Sequence, residues 1–538
     1  MRKYIYIAVL LLVSSCSLDT FPSGDIVTGD QKEDVVSKDP TKFESEVNAL
    51  SSNMIAFDLL GTVRHFDFGF ASACIFFDSS GADYYSQDIG YNWYRSAQNY
   101  RDRLAMSDNT AFLWTLFYKN VKQANDVLDI SLSSMETVEN ESQKSLFESY
   151  AGQAYAFRAF SYLNLVQAYQ FTYKGHETAP AVPLVLLEDD ERATSSRATV
   201  EAVYEVILDD LDKALELLDG KKRSSKDMVS AEVVYGLRAR THLLMQNWAE
   251  AAKDALKAQA GFTPYSKEEV AVPAFNTVNS NSWMWGNIIS VENDIVQTGI
   301  INWPSHVSSF TGNGYTGVGA YRMINKFIWE DIPATDVRKG WWVDENLKAP
   351  FVDGITVTDK DGKEIPFAVA QKWLPYTNLK FGAYENKILN PTNASDWPMM
   401  RVEEMILIEA EAKAMAGDLQ GGKEVLRKFV STYRDPSYQL SSAGSAEEFQ
   451  DEVWFQRRVE LWGEGFSLFD VLRLKKPIVR AKMEGTKVNS SYGSTSTINL
   501  PAEAPILLFL IPEKEIEANE SLLPTDNNQT IPAPKPLG

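Results

Sequence analysis

Met399-Met-Arg-Val-Glu-Glu-Met-Ile-Leu-Ile-Glu-Ala-Glu-Ala-Lys-Ala-Met-Ala416 is followed at once by Gly417-Asp418-Leu419 and then by Gly422, Leu426 and Phe429 at helical spacing. An apolar run of this length with a 3.6-residue period, a two-residue break and a second periodic run predicts two antiparallel helices joined by a tight turn. The same design occurs earlier in the chain. Met228 to Gln246 reads as a helix, Asn247-Trp248 as a turn, and Ala251, Ala255 and Ala258 as the face of a second helix. Overlaying Asn247 on Asp418 places Ala239 on Ala410, Trp248 on Leu419, Ala251 on Gly422 and Ala255 on Leu426. Small residues at matched positions of both helices let the two backbones approach closely, which is the tetratricopeptide pattern. The expected fold is therefore mainly α, a tetratricopeptide-like helical-repeat scaffold.

Further helices are expected around this pair. Thr41 to Asn53 and Asp108 to Leu132 are helical in spacing, the second with Asp108 as N-cap. Leu146 to Tyr169 carries Ala151, Ala154, Arg158, Tyr162 and Leu165 on one face. Thr199 is positioned to cap a helix running to Leu218. A helix is also expected from Glu447 to Leu474, and the apolar run Pro505 to Ile511 reads as a short buried strand. Between the helices lie two irregular parts, Gly61 to Arg103 and 263–398. The second is rich in Gly, Pro, Asn and Trp, with one readable hairpin, Ile355-Thr-Val357 and Ile365-Pro-Phe367 around Asp361-Gly362.

The first sixteen residues point to export. Arg2 and Lys3 precede an apolar stretch, Tyr4 to Val13, that is too short to span a bilayer. Val13-Ser14-Ser15-Cys16 then fits the lipobox at which a bacterial lipoprotein is lipidated and cleaved. Residues 1–15 are thus expected to be a signal peptide, Cys16 the lipidated residue, and 16–40 a polar tether. The diacyl group provides two chains, enough for stable anchoring. Without Arg2 and Lys3 the chain holds 50 basic and 73 acidic residues, a net charge of −23. That balance disfavours nucleic acid and anionic lipid surfaces as ligands. With Cys16 lipidated, Cys74 has no intrachain partner and reads as a buried apolar residue.

Chemistry-bearing patterns are few. Gly312-x-Gly314-x-x-Gly317 matches a dinucleotide fingerprint in letters but lacks the strand and the βαβ frame, and reads as a loop. Asp359-Lys-Asp361-Gly lacks the remaining ligands of a calcium loop and reads as a hairpin turn. His65, His176, His242 and His306 are scattered, so neither a metal nor another cofactor is expected. Glu403, Glu404, Glu409 and Glu411 sit on one helix of the repeat scaffold, and Glu460, Glu464 and Asp470 lie beside Arg457, Arg458 and Arg473, which favours helix-borne ion pairs over a glycosidase pair. The candidate binding loop is 61–103. Its Asp83 and its run Tyr91-Asn92-Trp93-Tyr94 offer rings for the C–H faces of sugars and polar groups for their hydroxyls. Six of the thirteen tryptophans fall between Trp283 and Trp342, and Trp283 and Trp303 are candidates for an opposing wall.

Several motifs in order resemble the SusD/RagB family of Bacteroidetes outer-membrane lipoproteins. They are Cys16-Ser-Leu-Asp19-Thr-Phe-Pro22, Trp114-x-x-x-Tyr118 with Ala124-Asn125, and Ala151-Gly-Gln-Ala-Tyr-Ala-Phe-Arg158. Arg401-Val-Glu-Glu404 with Ala410-Glu411-Ala412 follows, then Arg457-Arg458-x-Glu460-Leu-x-x-Glu464-Gly465-x-x-x-Phe469-Asp470-x-x-Arg473, then Ile511-Pro512 with Glu515-Ile516 and Asn519. Gln153 replaces a usual Glu, Glu520 stands where Pro is usual, and the Gln-Asn-Pro ending is absent. The resemblance spans nearly all of the chain after the signal. It implies a SusD-like α-α superhelix with an N-terminal helical region over 41–262 and a C-terminal region over 263–538, helical again over 399–474. It further implies a non-catalytic, surface-exposed glycan-binding lipoprotein of the outer membrane that delivers oligosaccharide to a SusC-like TonB-dependent transporter. In such proteins a tryptophan and an asparagine of the early loop contact glycan, which points to Trp93 and Asn92. A peptide-binding, RagB-like lipoprotein is the alternative; a hydrolase or a scaffold that binds only protein are further ones.

Overall fold

The computed structural model describes residues 36, 39–87, 91–187 and 195–537. The signal peptide, Cys16 and nearly all of the tether lie outside these residues. A helix α1 (Glu44–Ser52) is followed by a buried helix α2 (Phe70–Ser80) and two long antiparallel helices, α3 (Asp108–Thr137) and α4 (Glu141–Tyr169). Then come α5 (Val200–Leu218), the pair α6 (Ala231–Met245) and α7 (Trp248–Ala258), the pair α8 (Val402–Met415) and α9 (Leu419–Tyr433), α10 (Ala446–Glu460) and α11 (Ser467–Arg473). Neighbouring helices pack in sequence, α3 on α4, α4 on α5, α6 on α7 and α8 on α9, while α8 also contacts α7. This stacking of helix pairs is the architecture expected from the repeat.

The overlay holds at the level of single residues. Gln246 ends α6 in the left-handed region (φ 60°), and its counterpart Gly417 does the same after α8 (φ 100°). A Cβ at Gly422 would come within 2.5 Å of the Ala410 carbonyl oxygen, so the two helices of this pair touch backbone to backbone. Thr199 caps α5 by accepting from Ala202 N at 3.2 Å. For α3 the capping side chain is Ser107, whose Oγ accepts from Asn109 N at 3.3 Å, rather than Asp108, which forms the first turn. Helix α4 is central, and every residue from Tyr150 to Val166 is buried. Its Arg158 pairs with Asp210 of α5 at 2.7 Å and donates to Asn125 Oδ1 of α3 at 2.7 Å, tying three helices together.

Three expectations fail for identifiable reasons. The segment Gly61–Arg103 is not irregular throughout, because it contains α2. All eleven residues of that helix are buried, so its apolar run shows no amphipathic period. The helix expected over Glu447–Leu474 is two helices, broken where Gly463 (φ 81°) and Gly465 (φ 94°) take left-handed backbone. Pro505–Ile511 forms a 3-10 turn, Pro505–Leu507, and then extended chain in which Phe509 N donates to Ala168 O, with no strand assigned. The hairpin is present as Thr356–Thr358 paired with Glu364–Pro366.

The tryptophan-rich part is attached to the helices by its own rings. The strand Trp283–Asn287 pairs with Trp397–Arg401, which leads directly into α8. Trp283, Trp285, Trp303, Trp342 and Trp397 are fully buried, and the indole of Trp303 donates to Ser395 O at 2.7 Å. Burial of rings this large supplies the apolar area that the short strands cannot. A satellite core of Phe310, Tyr321, Phe367 and Trp373 holds the rest of this part together. Cys74 is buried, as expected.

Candidate functional site

The loop that precedes α2 folds back on itself because Asp67 Oδ2 accepts from Leu60 N at 3.1 Å. Burial pushes the Asp67 carboxyl up to about 6. This fold presents His65 outward. Trp93 stacks on the His65 ring at 4.7 Å between centroids, with planes 16° apart. Tyr315 meets both rings edge-on, at 5.8 and 6.4 Å, and its hydroxyl hydrogen-bonds His65 Nδ1. Beneath it His306 lies parallel to Tyr315 at 4.6 Å, with Phe68 on its other side at 5.4 Å. His306 Nε2 donates to His65 O at 2.8 Å. Burial, then the nearby Arg322 charge, hold His306 well below its usual range, and burial also lowers His65. Both imidazoles are therefore neutral near pH 7, and the stack is an uncharged aromatic column.

Trp93, 37% exposed, is the open face of this column, and Tyr91, 53% exposed, stands two residues before it in the chain. Asn92 between them is turned inward. Its Oδ1 accepts from Tyr94 N at 3.1 Å and from Arg322 Nη1 at 3.0 Å. Arg322 Nε in turn donates to His306 O at 2.8 Å. Tyr94 is fully buried, shares a hydrogen bond with Ser72 Oγ at 2.8 Å and sets its edge against His306. The result is a half-exposed indole on a support whose members fix one another's orientation, a preformed shelf.

The other expected contacts are placed elsewhere. Asp83 is buried in a two-bond pair with Arg458, at 2.6 and 2.8 Å, and its carbonyl accepts from the Trp462 indole at 2.8 Å. Trp283 and Trp303 sit in the core with no exposed surface, so they form no opposing wall. Tyr94 is a support rather than a contact. His65, Tyr315 and Arg322 complete the shelf, and the sequence carries no local signal for them beyond the place of His65 in the loop 61–103.

The Gly312–Gly319 loop has a structural task. A Cβ at Gly314 would lie 2.5 Å from Ser305 Cα, and this close approach lets Tyr315 N donate to Ser305 Oγ at 3.2 Å, positioning the ring. At Asp359-Lys-Asp361-Gly, Asp359 Oδ1 accepts from Asp361 N and Lys363 N, both at 2.9 Å, so this is a turn. Among the described residues no group of three or more His, Cys, Asp or Glu is arranged to hold a metal. The carboxylates singled out above are engaged in pairs: Glu404 with Arg240 at 2.6 Å, Glu411 with Arg473 at 2.6 Å, Asp470 with Arg457 at 2.8 Å and Glu464 with Arg401 at 2.9 Å. Glu404, Glu464 and Asp470 also line a cleft between α4, α6 and α11 that includes Phe160, Arg240, Arg457 and Phe466. No helix among the described residues is long and apolar enough to cross a membrane.

Comparison with known proteins agrees with this architecture. A SusD-like family described as "Starch-binding associating with outer membrane" matches residues 72–243, which include Trp93, and the SusD family matches residues 355–527. No curated protein matches the chain. Among solved structures, a SusD-like carbohydrate binding protein from Bacteroides vulgatus ATCC 8482 superposes with a TM-score of 0.71 at 21% identity, covering 91% of this chain and 98% of its own. A SusD superfamily protein from Bacteroides thetaiotaomicron VPI-5482 gives 0.68 at 19% identity, covering 91% and 99%. Another from Parabacteroides distasonis ATCC 8503 gives 0.66 at 19% identity, covering 94% and 100%. These identities speak to the fold alone. The two family matches, lying in both halves of the chain and carrying the ordered motifs from Trp114 to Asn519, place this chain in the SusD family.

Proposed function

We propose that this chain is a non-catalytic lipoprotein, anchored through Cys16 on the outer face of the outer membrane, that captures oligosaccharide on the Trp93 shelf and passes it to a SusC-like TonB-dependent transporter. The observation that carries the reading is the half-exposed Trp93 ring held against His65 from beneath. A flat ring fixed in advance stacks on the C–H face of a sugar without an ordering cost at the moment of binding. The family description, the lipobox and the carbohydrate-binding neighbour support the same reading. Engagement of the candidate carboxylates by arginines favours a binder over a hydrolase.

Isothermal titration against a panel of plant, host and microbial oligosaccharides tests it. The wild-type protein should bind at least one member, and Trp93→Ala should lose at least about tenfold in affinity, about 1.4 kcal/mol. The melting temperature should barely change, because the ring is partly exposed. Unchanged affinity would remove the shelf as the site, and co-purified peptide with no glycan binding would move the reading to a peptide carrier. In cells, Cys16→Ala should shift the protein from the membrane to the soluble fraction while its glycan affinity stays the same. Retention of that variant in the membrane would rule out the lipid anchor.

A further inference from the structure

Six arginines rank among the largest fully buried side chains; four of them have a partner for every side-chain nitrogen, and Arg103 leaves only its Nε open while its charge is paired with Asp102. Arg103, Arg338, Arg401 and Arg434 each pair with carboxylates. Arg480 pairs with none, but its nitrogens donate to the carbonyls of Ser79, Gly81 and Gln98 and to Tyr100 Oη. Arg322 differs. Among the described residues it meets no carboxylate, it makes only the two bonds to His306 O and Asn92 Oδ1, and its buried Nη2 has no partner. The rings of Tyr84 and Tyr94, 5.7 and 5.2 Å from its guanidinium carbon, offer only weak compensation.

Asn92 has the complementary defect. Two donors fix its Oδ1, one of them from Arg322, and its Nδ2 too is buried without a partner. A buried, uncompensated cation is costly, and so is a buried donor left open. Here both occur on side chains that touch each other, and Asn92 lies between the exposed Tyr91 and Trp93 in the chain. We propose that Arg322 and Asn92 form an anion-recognising position beneath the Trp93 shelf. Its occupant is either the carboxylate or sulfate of an acidic saccharide seated on that shelf or a free inorganic anion such as chloride. The saccharide source rests on the glycan-binding reading; the inorganic source does not. Guanidinium and amide N–H groups together match an oxyanion or a halide and offer nothing to a cation. His306, held neutral, adds no second positive charge.

The test uses the mature protein. Its melting temperature is measured in sodium chloride, sodium bromide and sodium gluconate at equal ionic strength. Its affinity is measured for oligogalacturonate and for the same oligosaccharide with its carboxyls reduced. A rise in melting temperature in both halides over gluconate identifies a free anion. A preference of at least about tenfold for the acidic oligosaccharide identifies the saccharide source. Either supports the position, and the absence of both overturns it. Asn92→Asp puts a carboxylate against Arg322; it should raise the melting temperature and abolish whichever effect the wild type shows. Persistence of the effect in that variant would also overturn the proposal. A protein that binds neutral glycans as well as acidic ones, without a halide effect, retains the glycan reading and loses this one.

Discussion

Glu460→Ala should destabilise the protein by about 3–5 kcal/mol, the loss typical of one partner removed from a buried ion network. Glu460 is fully buried at the end of α10 and serves three guanidiniums. It accepts from Arg434 at 2.7 and 2.9 Å, from Arg401 at 3.2 Å and from Arg338 at 3.3 Å. Burial alone would raise its carboxyl, yet Arg434, Arg401 and Arg338 hold it well below the usual range. Beside it Lys380 Nζ donates to Glu464 at 2.6 Å and to the carbonyls of Trp462 and Glu460. Burial lowers that ammonium to about 8, so the site depends on its carboxylates. Truncation at 460 leaves three buried cations sharing the remaining acids. Urea unfolding measures the loss. The exposed pair Glu424–Arg427 is the control, and Glu424→Ala should leave stability nearly unchanged. Equal stability of Glu460→Ala and wild type would show that the network holds nothing together.

Gly465→Ala is the second large effect, expected to cost about 2–5 kcal/mol from backbone strain and overpacking combined. Gly465 has φ 94°, and a Cβ there would lie 2.8 Å from Cys74 Sγ and 3.0 Å from Cys74 Cα. Its N–H donates to Asp78 Oδ2 at 2.8 Å, while Ser467 N donates to Asp78 Oδ1 at 2.9 Å, so the chain cannot step away from α2 without giving up both bonds. Gly317→Ala, at a position with nothing within 4 Å and no left-handed backbone, should be nearly neutral. Thermal unfolding of the two variants separates them, and a neutral Gly465→Ala would show that α2 and the turn before α11 are free to move apart.

These two positions also show what the sequence discloses. The helix pairs were legible because the reason for a small residue at Ala410 or Gly422 is local, one helix touching the next across a two-residue turn. The break at Gly463–Gly465 was hidden, because its cause is a contact between residues 387 apart, Asp78 and Gly465. Helix α2 was hidden for a related reason: a segment buried on all sides has no polar face to reveal its period. At the shelf, Tyr91, Asn92 and Trp93 were readable as ring, amide and ring in a row. His65, Tyr315 and Arg322 were not, since Tyr315 lies 250 residues from His65 and Arg322 lies 230 from Asn92. The tryptophans Trp283 and Trp303 misled because an aromatic cluster in a region of short strands has the same composition whether it faces solvent or builds a core.

The arginine at 480 sets an order of events during synthesis. Its guanidinium gathers the carbonyls of Ser79, Gly81 and Gln98 at the two ends of the segment that leads into the shelf, and Trp462 reaches Asp83 within it. Helices α3 to α7 need only their neighbours in sequence and can pair as the chain emerges, each against the one before. The segment 61–103 cannot complete its contacts until nearly nine-tenths of the chain has been made. A chain shortened from its C-terminal end before Arg480 therefore loses the clasp on both ends of that segment, together with the buried Phe509 that packs on Phe77 of α2 and Tyr169 of α4.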